Sequence, residues 1–329
     1  MREATLEPDK NLETAAISAE FLNGVSVTDG AGDWTIGNTG YSDFNDVAYS
    51  PALDRFLASG GDLPYRWSGN SFSSDARARE AIVEAMRKAG KQVFDSPKAR
   101  LACDPTPGTP VVLDRTTYFE GIASNEITLR KISGPGFALN GAELAFPGGR
   151  LPRLSDSALS NHLGVCCLAF DDEGYLALTL TTAASAVSGG KISPSGAGSC
   201  DVEDFDGATD GIARAAARGM ERELREELGL NSAAEIDIQV VAFRRFLDRG
   251  GKPDFIGVAR VKGSFGEMIS DITVDEAGFT DGIILLDARR MGNDGLGQWA
   301  RRNAPRLSSS LKTAIHAYVS QADARQEAA

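Results

Sequence analysis

The sequence of 329 residues has only two histidines, His162 and His316, and four cysteines, Cys103, Cys166, Cys167 and Cys200. So few histidines leave little material for a His-based catalytic triad or a histidine-rich zinc centre. No cysteine pair has C-x-x-C spacing, which argues against a zinc ribbon or a disulfide framework. Cys166 and Cys167 are adjacent within an apolar run and are expected to be buried thiols on opposite faces of a strand. No stretch of 18 apolar residues occurs, so no membrane span is expected. The first twenty residues lack the basic start and apolar run of a secretory signal, which points to the cytoplasm. Positive charge is also short: 34 Lys and Arg against 46 Asp and Glu give a net charge of −12. That balance disfavours a broad nucleic-acid interface, but it allows a small phosphorylated ligand held by local cations or a metal.

What remains is an ordinary globular composition, 42% hydrophobic and 24% charged. Residues 1–45 read as a polar lead-in, partly disordered. Residues 46–154 read as a smaller α+β region with a helix over 74–90 and extended segments at 111–113 and 126–132. A Gly/Pro-punctuated connection over 134–159 leads into the last part, 155–325. There LGVCCLAF (163–170) and YLALTL (175–180) form a hairpin around the turn DDEG. A Ser/Gly-rich loop precedes a helix over Ile212–Leu228 that Gly229 ends. Strands at 236–246, 255–261 and 282–287 and a helix over 308–321 follow. Strands interleaved with helices imply an α/β sandwich with a mixed sheet.

The segment GMERELREELGL (219–230) carries the chemistry. At about 100° per residue, Glu226, Glu223 and Glu227 share an arc of roughly 100° on one helix edge. Arg222 stands one turn before Glu226 as an i,i+4 partner. Met220, Leu224 and Leu228 fall on the neighbouring, core-facing arc, and Gly219 leaves the carboxylate edge open. Three like charges so close repel unless a cation neutralises them. An all-oxygen, negative donor set favours Mg²⁺ or Mn²⁺. The competing account is a solvated, salt-bridged surface helix.

R-E-L-R-E-E-L-G-L (222–230) resembles the second half of the Nudix signature, G-x5-E-x7-R-E-U-x-E-E-x-G-U, at every fixed position. The first half departs, with Ala208 where the signature has Gly and Arg214 where it has Glu. The loop SPSGAGS (193–199) stands where the family has a Pro-Gly-Gly turn. Upstream, SPALDR (50–55), VFDSPKARL (93–101), TTYFEGIASN (116–125) and HLGVCCLAFDDEGYLAL (162–178) resemble a branch of the family that hydrolyses UDP-glucose and UDP-galactose. The resemblance covers about residues 45–290. It implies a Nudix α/β/α sandwich over 155–325, preceded by the smaller N-terminal region. It also implies a metal-dependent pyrophosphatase acting on nucleoside diphosphate conjugates, with UDP-sugar giving UMP and sugar 1-phosphate. Glu223, Glu226 and Glu227 would hold Mg²⁺ (or Mn²⁺). Glu223, Glu226 and Arg222 would serve the chemistry.

Lys191, Arg244 and Arg245 are expected to contact the diphosphate. Glu276 and Asp281 offer a further acid beyond the box. Lys98 and Arg100 suit either substrate contact or packing between the two regions, with packing the simpler account. Asp248-Arg249-Gly250-Gly251 reads first as a turn. ADP-ribose or dinucleotide hydrolysis, and a catalytically silent nucleotide-binding sensor, stay open beside the UDP-sugar reading. The partner is a small molecule, with neither nucleic acid nor membrane, and a homodimer is admitted.

Overall fold

In a computed structural model, residues 12–28, 33–183, 185, 188–206, 210–269 and 280–327 are described. In chain order the first half forms β1 (Glu13–Ala16), β2 (Ser26–Val27), β3 (Thr35–Gly37), β4 (Val47–Tyr49), α1 (Pro51–Ala58), β5 (Tyr65–Ser71), α2 (Ala76–Lys88), β6 (Pro97–Leu101), β7 (Val111–Thr117), α3 (Tyr118–Ile122), β8 (Arg130–Gly134), β9 (Phe137–Asn140), α4 (Gly141–Ala145) and β10 (Arg150–Leu151). The second half forms β11 (Gly164–Asp171), β12 (Tyr175–Thr181), β13 (Ile192–Ser193), β14 (Gly196–Ser199), α5 (Ile212–Leu228), β15 (Ile236–Phe246), β16 (Lys252–Val261), α6 (Phe265–Met268), β17 (Thr280–Asp287), α7 (Ala288–Asn303) and α8 (Ser309–Glu327). The fold is mixed α/β, with one large mixed sheet and smaller sheets around it.

The large sheet runs β13-β12-β11-β16-β15-β4-β3, with β14 added on β11 and β17 on β12. The β11–β16 pair is parallel, and β15–β16 is antiparallel. Its two faces bury different halves of the same strands. Cys167, Val165 and Ala169 pack toward Met220 and Leu224 of α5. Cys166 and Leu168 pack toward Leu296 and Ala300 of α7 and Leu311 and Ile315 of α8. The period-2 alternation of a strand therefore separates the adjacent cysteines, as expected, and places helices on both faces. Both thiols are fully buried.

The polar lead-in is structured where it is described. β1 pairs with β8 in a small three-stranded sheet, and β3 pairs with β4 at one edge of the large sheet. Burial explains this order: Leu22 is fully enclosed, and the Trp34 ring meets Phe243 edge-on. The position at 154/155 does not divide two interiors. Leu53, Leu57, Leu101 and Leu113 fill the same core as Leu163, Phe243 and Leu224. The segment expected to be extended at 126–132 begins as a 3-10 turn, Asn125–Ile127, and becomes strand only at Arg130. α7 has no counterpart in the sequence reading. Its left-handed Gly292 interrupts the helical geometry, and Leu296 and Ala300 anchor it. Among the described residues, no helix is long and apolar enough to cross a membrane.

Candidate functional site

α5 spans Ile212–Leu228, as the spacing predicts, and ends at Gly229 with φ 64°. It lies against β14 because that strand has almost no side chains. A Cβ on Gly196 would come within 2.7 Å of the Leu224 backbone, and one on Gly198 would overlap the Glu223 carboxylate. The glycines of the Ser/Gly-rich loop thus let the acidic edge of the helix come flush with the sheet.

At this junction lies a cleft of about 290 Å³, and Glu223, Glu226 and Glu227 all line it. Their surroundings differ. Glu227 is half-buried, and one of its carboxylate oxygens is enclosed with no hydrogen-bond partner. Burial, reinforced by the charge of Glu223, pushes its carboxyl well above the usual range, and the Ala197 amide opposes this. Burial also raises Glu223, whose carboxylate accepts a 2.7 Å hydrogen bond from Arg222. Glu226 stands at the rim with its side chain 53% exposed, 3.7 Å from the Arg222 guanidinium.

Arg222 is itself fixed. It donates to Asp204 at 3.0 Å and to the Ser199 carbonyl at 3.1 Å, and it lies 3.2 Å from Asp201. Asp204, from the turn before α5, thereby braces the arginine from outside the helix. Arg214 instead turns outward to Asp210 and Asp62. Ala208 lies outside the described residues.

The rest of the cleft comes from both halves of the chain. β6 contributes Lys98, which pairs with Asp201. The turn after β15 contributes Arg249, which pairs with Glu126. Asp254 comes from β16 and is held by Lys252 at 2.6 Å, both fully buried. Tyr118, with its hydroxyl pushed up to about 12 by burial, lies beside them. Behind it His162 is kept neutral by burial and by the surrounding cations Lys252, Arg249 and Lys98. Phe94, 60% exposed, stands at the mouth.

The three cations expected at the diphosphate are not among the cleft's lining. The Lys191 ammonium donates to the Pro305 carbonyl at 2.5 Å. Arg244 and Arg245 do point to opposite sides of their strand, but each ends in a buried ion pair. Arg244 grips Asp54 at 2.6 Å and lies over the Tyr49 ring. Arg245 donates to the carbonyls of Pro152 and Gly251 and pairs with Asp104 at 3.3 Å. The physical reason is that acids of the N-terminal half, invisible as partners in the local sequence, reach these strands first. Arg100 likewise turns to Asp114 at 2.8 Å.

Lys98, which the sequence reads as substrate contact or packing, Arg249, which it reads as a turn residue, and Asp254, which it does not single out, join the glutamates in the cleft. A signal existed for the last: Lys252 and Asp254 are two apart and so share a strand face. Glu276 lies outside the described residues, and Asp281 falls in β17.

Among the described residues, no three histidine, cysteine or acidic side chains stand together as a ready ligand set for a metal. The glutamates share a cleft rather than a closed shell. The sequence matches no family model and no curated protein. Among solved structures, the crystal structure of DR0079 from Deinococcus radiodurans is similar at 16% identity, covering 47% of this chain and 82% of that one, with a TM-score of 0.30. A likeness that slight bears on neither fold nor site.

Proposed function

We propose that this protein is a divalent-cation-dependent hydrolase of the Nudix type that cleaves the diphosphate of nucleoside diphosphate conjugates. UDP-sugars are the preferred class, giving UMP and sugar 1-phosphate. The observation that carries this reading is the shared cleft of Glu223, Glu226 and Glu227 on one edge of α5. The arrangement of α5 on one face of the mixed sheet and α7 and α8 on the other suits the Nudix sandwich.

The residues fit a hard cation. All candidate donors are oxygen, and Glu227 keeps a buried carboxylate oxygen without a partner, at a cost that a bound ion would remove. Glu223 and Glu227 would hold Mg²⁺ (or Mn²⁺), with Glu226 turning in from the rim as a further ligand or to orient water. A bound dication supplies charge compensation on phosphate oxygens and a more acidic water. The chain supplies the rest. Arg222, braced by Asp204, fixes the Glu223 carboxylate. Lys98 and Arg249 offset the charge of the phosphate farther from the glutamates, each held in place by its acidic partner.

The test is a panel of UDP-glucose, ADP-ribose and a dinucleotide, with and without Mg²⁺. Mg²⁺-dependent release of UMP from UDP-glucose is expected, lost in Glu223→Gln with the fold retained. Faster cleavage of ADP-ribose replaces the substrate class. No cleavage, together with a melting temperature raised by nucleotide, replaces the hydrolase with a sensor.

A further inference from the structure

One side of the cleft is polar without charge. The charged residues come from α5, β6, β16 and the turn after β15. Uncharged ones come from several elements, but five of them, Thr179, Thr181, Ser185, Ser188 and Ser193, lie on β12, β13 and described residues between the two, where no charged residue lines the cleft, and Gln92 bridges to Ser185 through the backbone. This wall carries hydroxyls and a carboxamide but no formal charge.

Its hydroxyls are positioned by irregular backbone. The register between β12 and β17 slips between Leu180 and Thr181, and slips of this kind re-aim side chains beside functional sites. Ser188 has φ 58°, one of two non-glycine residues with positive φ among those described. Thr181 and Ser193 hydrogen-bond each other at 2.9 Å, and either is able to donate. A hydroxyl pair of that kind keeps one proton and several lone pairs for a ligand.

A phosphate gains little from such a wall, because its charge is better met by Lys98 and Arg249. A nucleobase is better met by the Phe94 ring at the mouth. Neighbouring hydroxyls that both donate and accept match a ligand with neighbouring hydroxyls of its own. We propose that the Thr181–Ser193 wall is a subsite for the glycosyl group of the substrate, recognising its hydroxyls by paired hydrogen bonds. The proposal rests on the diphosphate-conjugate reading above and names the group attached to the second phosphate.

The test is binding, read by calorimetry on the full chain in EDTA, where no cleavage is expected, with hydrolysis followed separately in Mg²⁺. The ligands are UDP-glucose and the methyl ester of UDP, which keeps the diphosphate and lacks the sugar. Two ordinary hydrogen bonds correspond to a preference for UDP-glucose of about tenfold. That preference is expected in the wild type, is lost in Thr181→Val/Ser193→Ala, and is retained in Thr181→Ser. The ester's affinity stays within about twofold in all three, which also certifies that the variants fold. Equal affinity for the two ligands in the wild type, or a preference that survives the double substitution, overturns the subsite. UDP-glucose bound with this preference but never cleaved removes the hydrolase and leaves the subsite standing. Cleavage without the preference does the reverse.

Discussion

Glu227→Gln separates a metal ligand from a structural acid. In the wild type the Glu227 carboxylate is buried beside that of Glu223, with one oxygen unpartnered. Glutamine keeps an acceptor for the Ala197 amide and removes one of two facing negative charges. An unmet buried polar atom costs about 1–3 kcal/mol, and more when charged. In EDTA at pH 8 the variant is therefore expected to be the more stable protein. For a chain of this length, the gain corresponds to a rise in melting temperature of roughly 1–4 °C. Adding Mg²⁺ should invert the order. An ion at about a hundred times its dissociation constant stabilises the wild type by about 2.7 kcal/mol, whereas the variant has lost a ligand and gains little. Thermal melts of both proteins across a Mg²⁺ titration decide the matter. A variant that melts below the wild type in EDTA would mean that the carboxylate is a structural acceptor. Parallel rises with Mg²⁺ would place any bound ion elsewhere.

Two further outcomes follow from the same geometry. Gly198→Ala puts a methyl group into the space of the Glu223 carboxylate. A displacement of about 1 Å at such a group costs on the order of a hundredfold in turnover, so Mg²⁺-dependent hydrolysis should fall by that order while the melting temperature changes by only a few degrees. Asp248 is half-buried, with its carboxyl pushed up to about 6 by burial, against the pull of the Ser309 hydroxyl. Its folded value lies above the unfolded one, so its contribution is fully present below about pH 4 and is lost as the pH rises through 6. Asp248→Asn should accordingly gain roughly 2–4 kcal/mol on the wild type at pH 8 and little at pH 4; urea unfolding at the two pH values measures the difference, and an equal effect at both refutes the assignment.

Much of this site was legible because its signals are local. The spacing of Glu223, Glu226 and Glu227 on one turn-and-a-quarter of helix put them on a common edge, and Gly229 marked where the helix stops. The alternation that parts Cys166 from Cys167 likewise needs only neighbouring residues. What local patterns missed depends on distant partners. Arg244 and Arg245 look like free cations until Asp54 and Asp104 arrive from 190 and 141 positions away. Lys98 and Arg249 come into the cleft only when β6 and the turn after β15 are brought together by the shared core. α7 was missed because ARRMGNDGLGQWARRN contains three glycines, which oppose helix formation, and tertiary packing overrides them.

The single interior spanning position 155 has a further consequence. With Leu101 and Leu113 interlocked with Leu163 and Phe243, the described residues of the two flanks share one packed interior. Under the proposed function, close packing of these side chains would have molecules sorted at the threshold by whether they fit rather than by a jaw that shuts behind them.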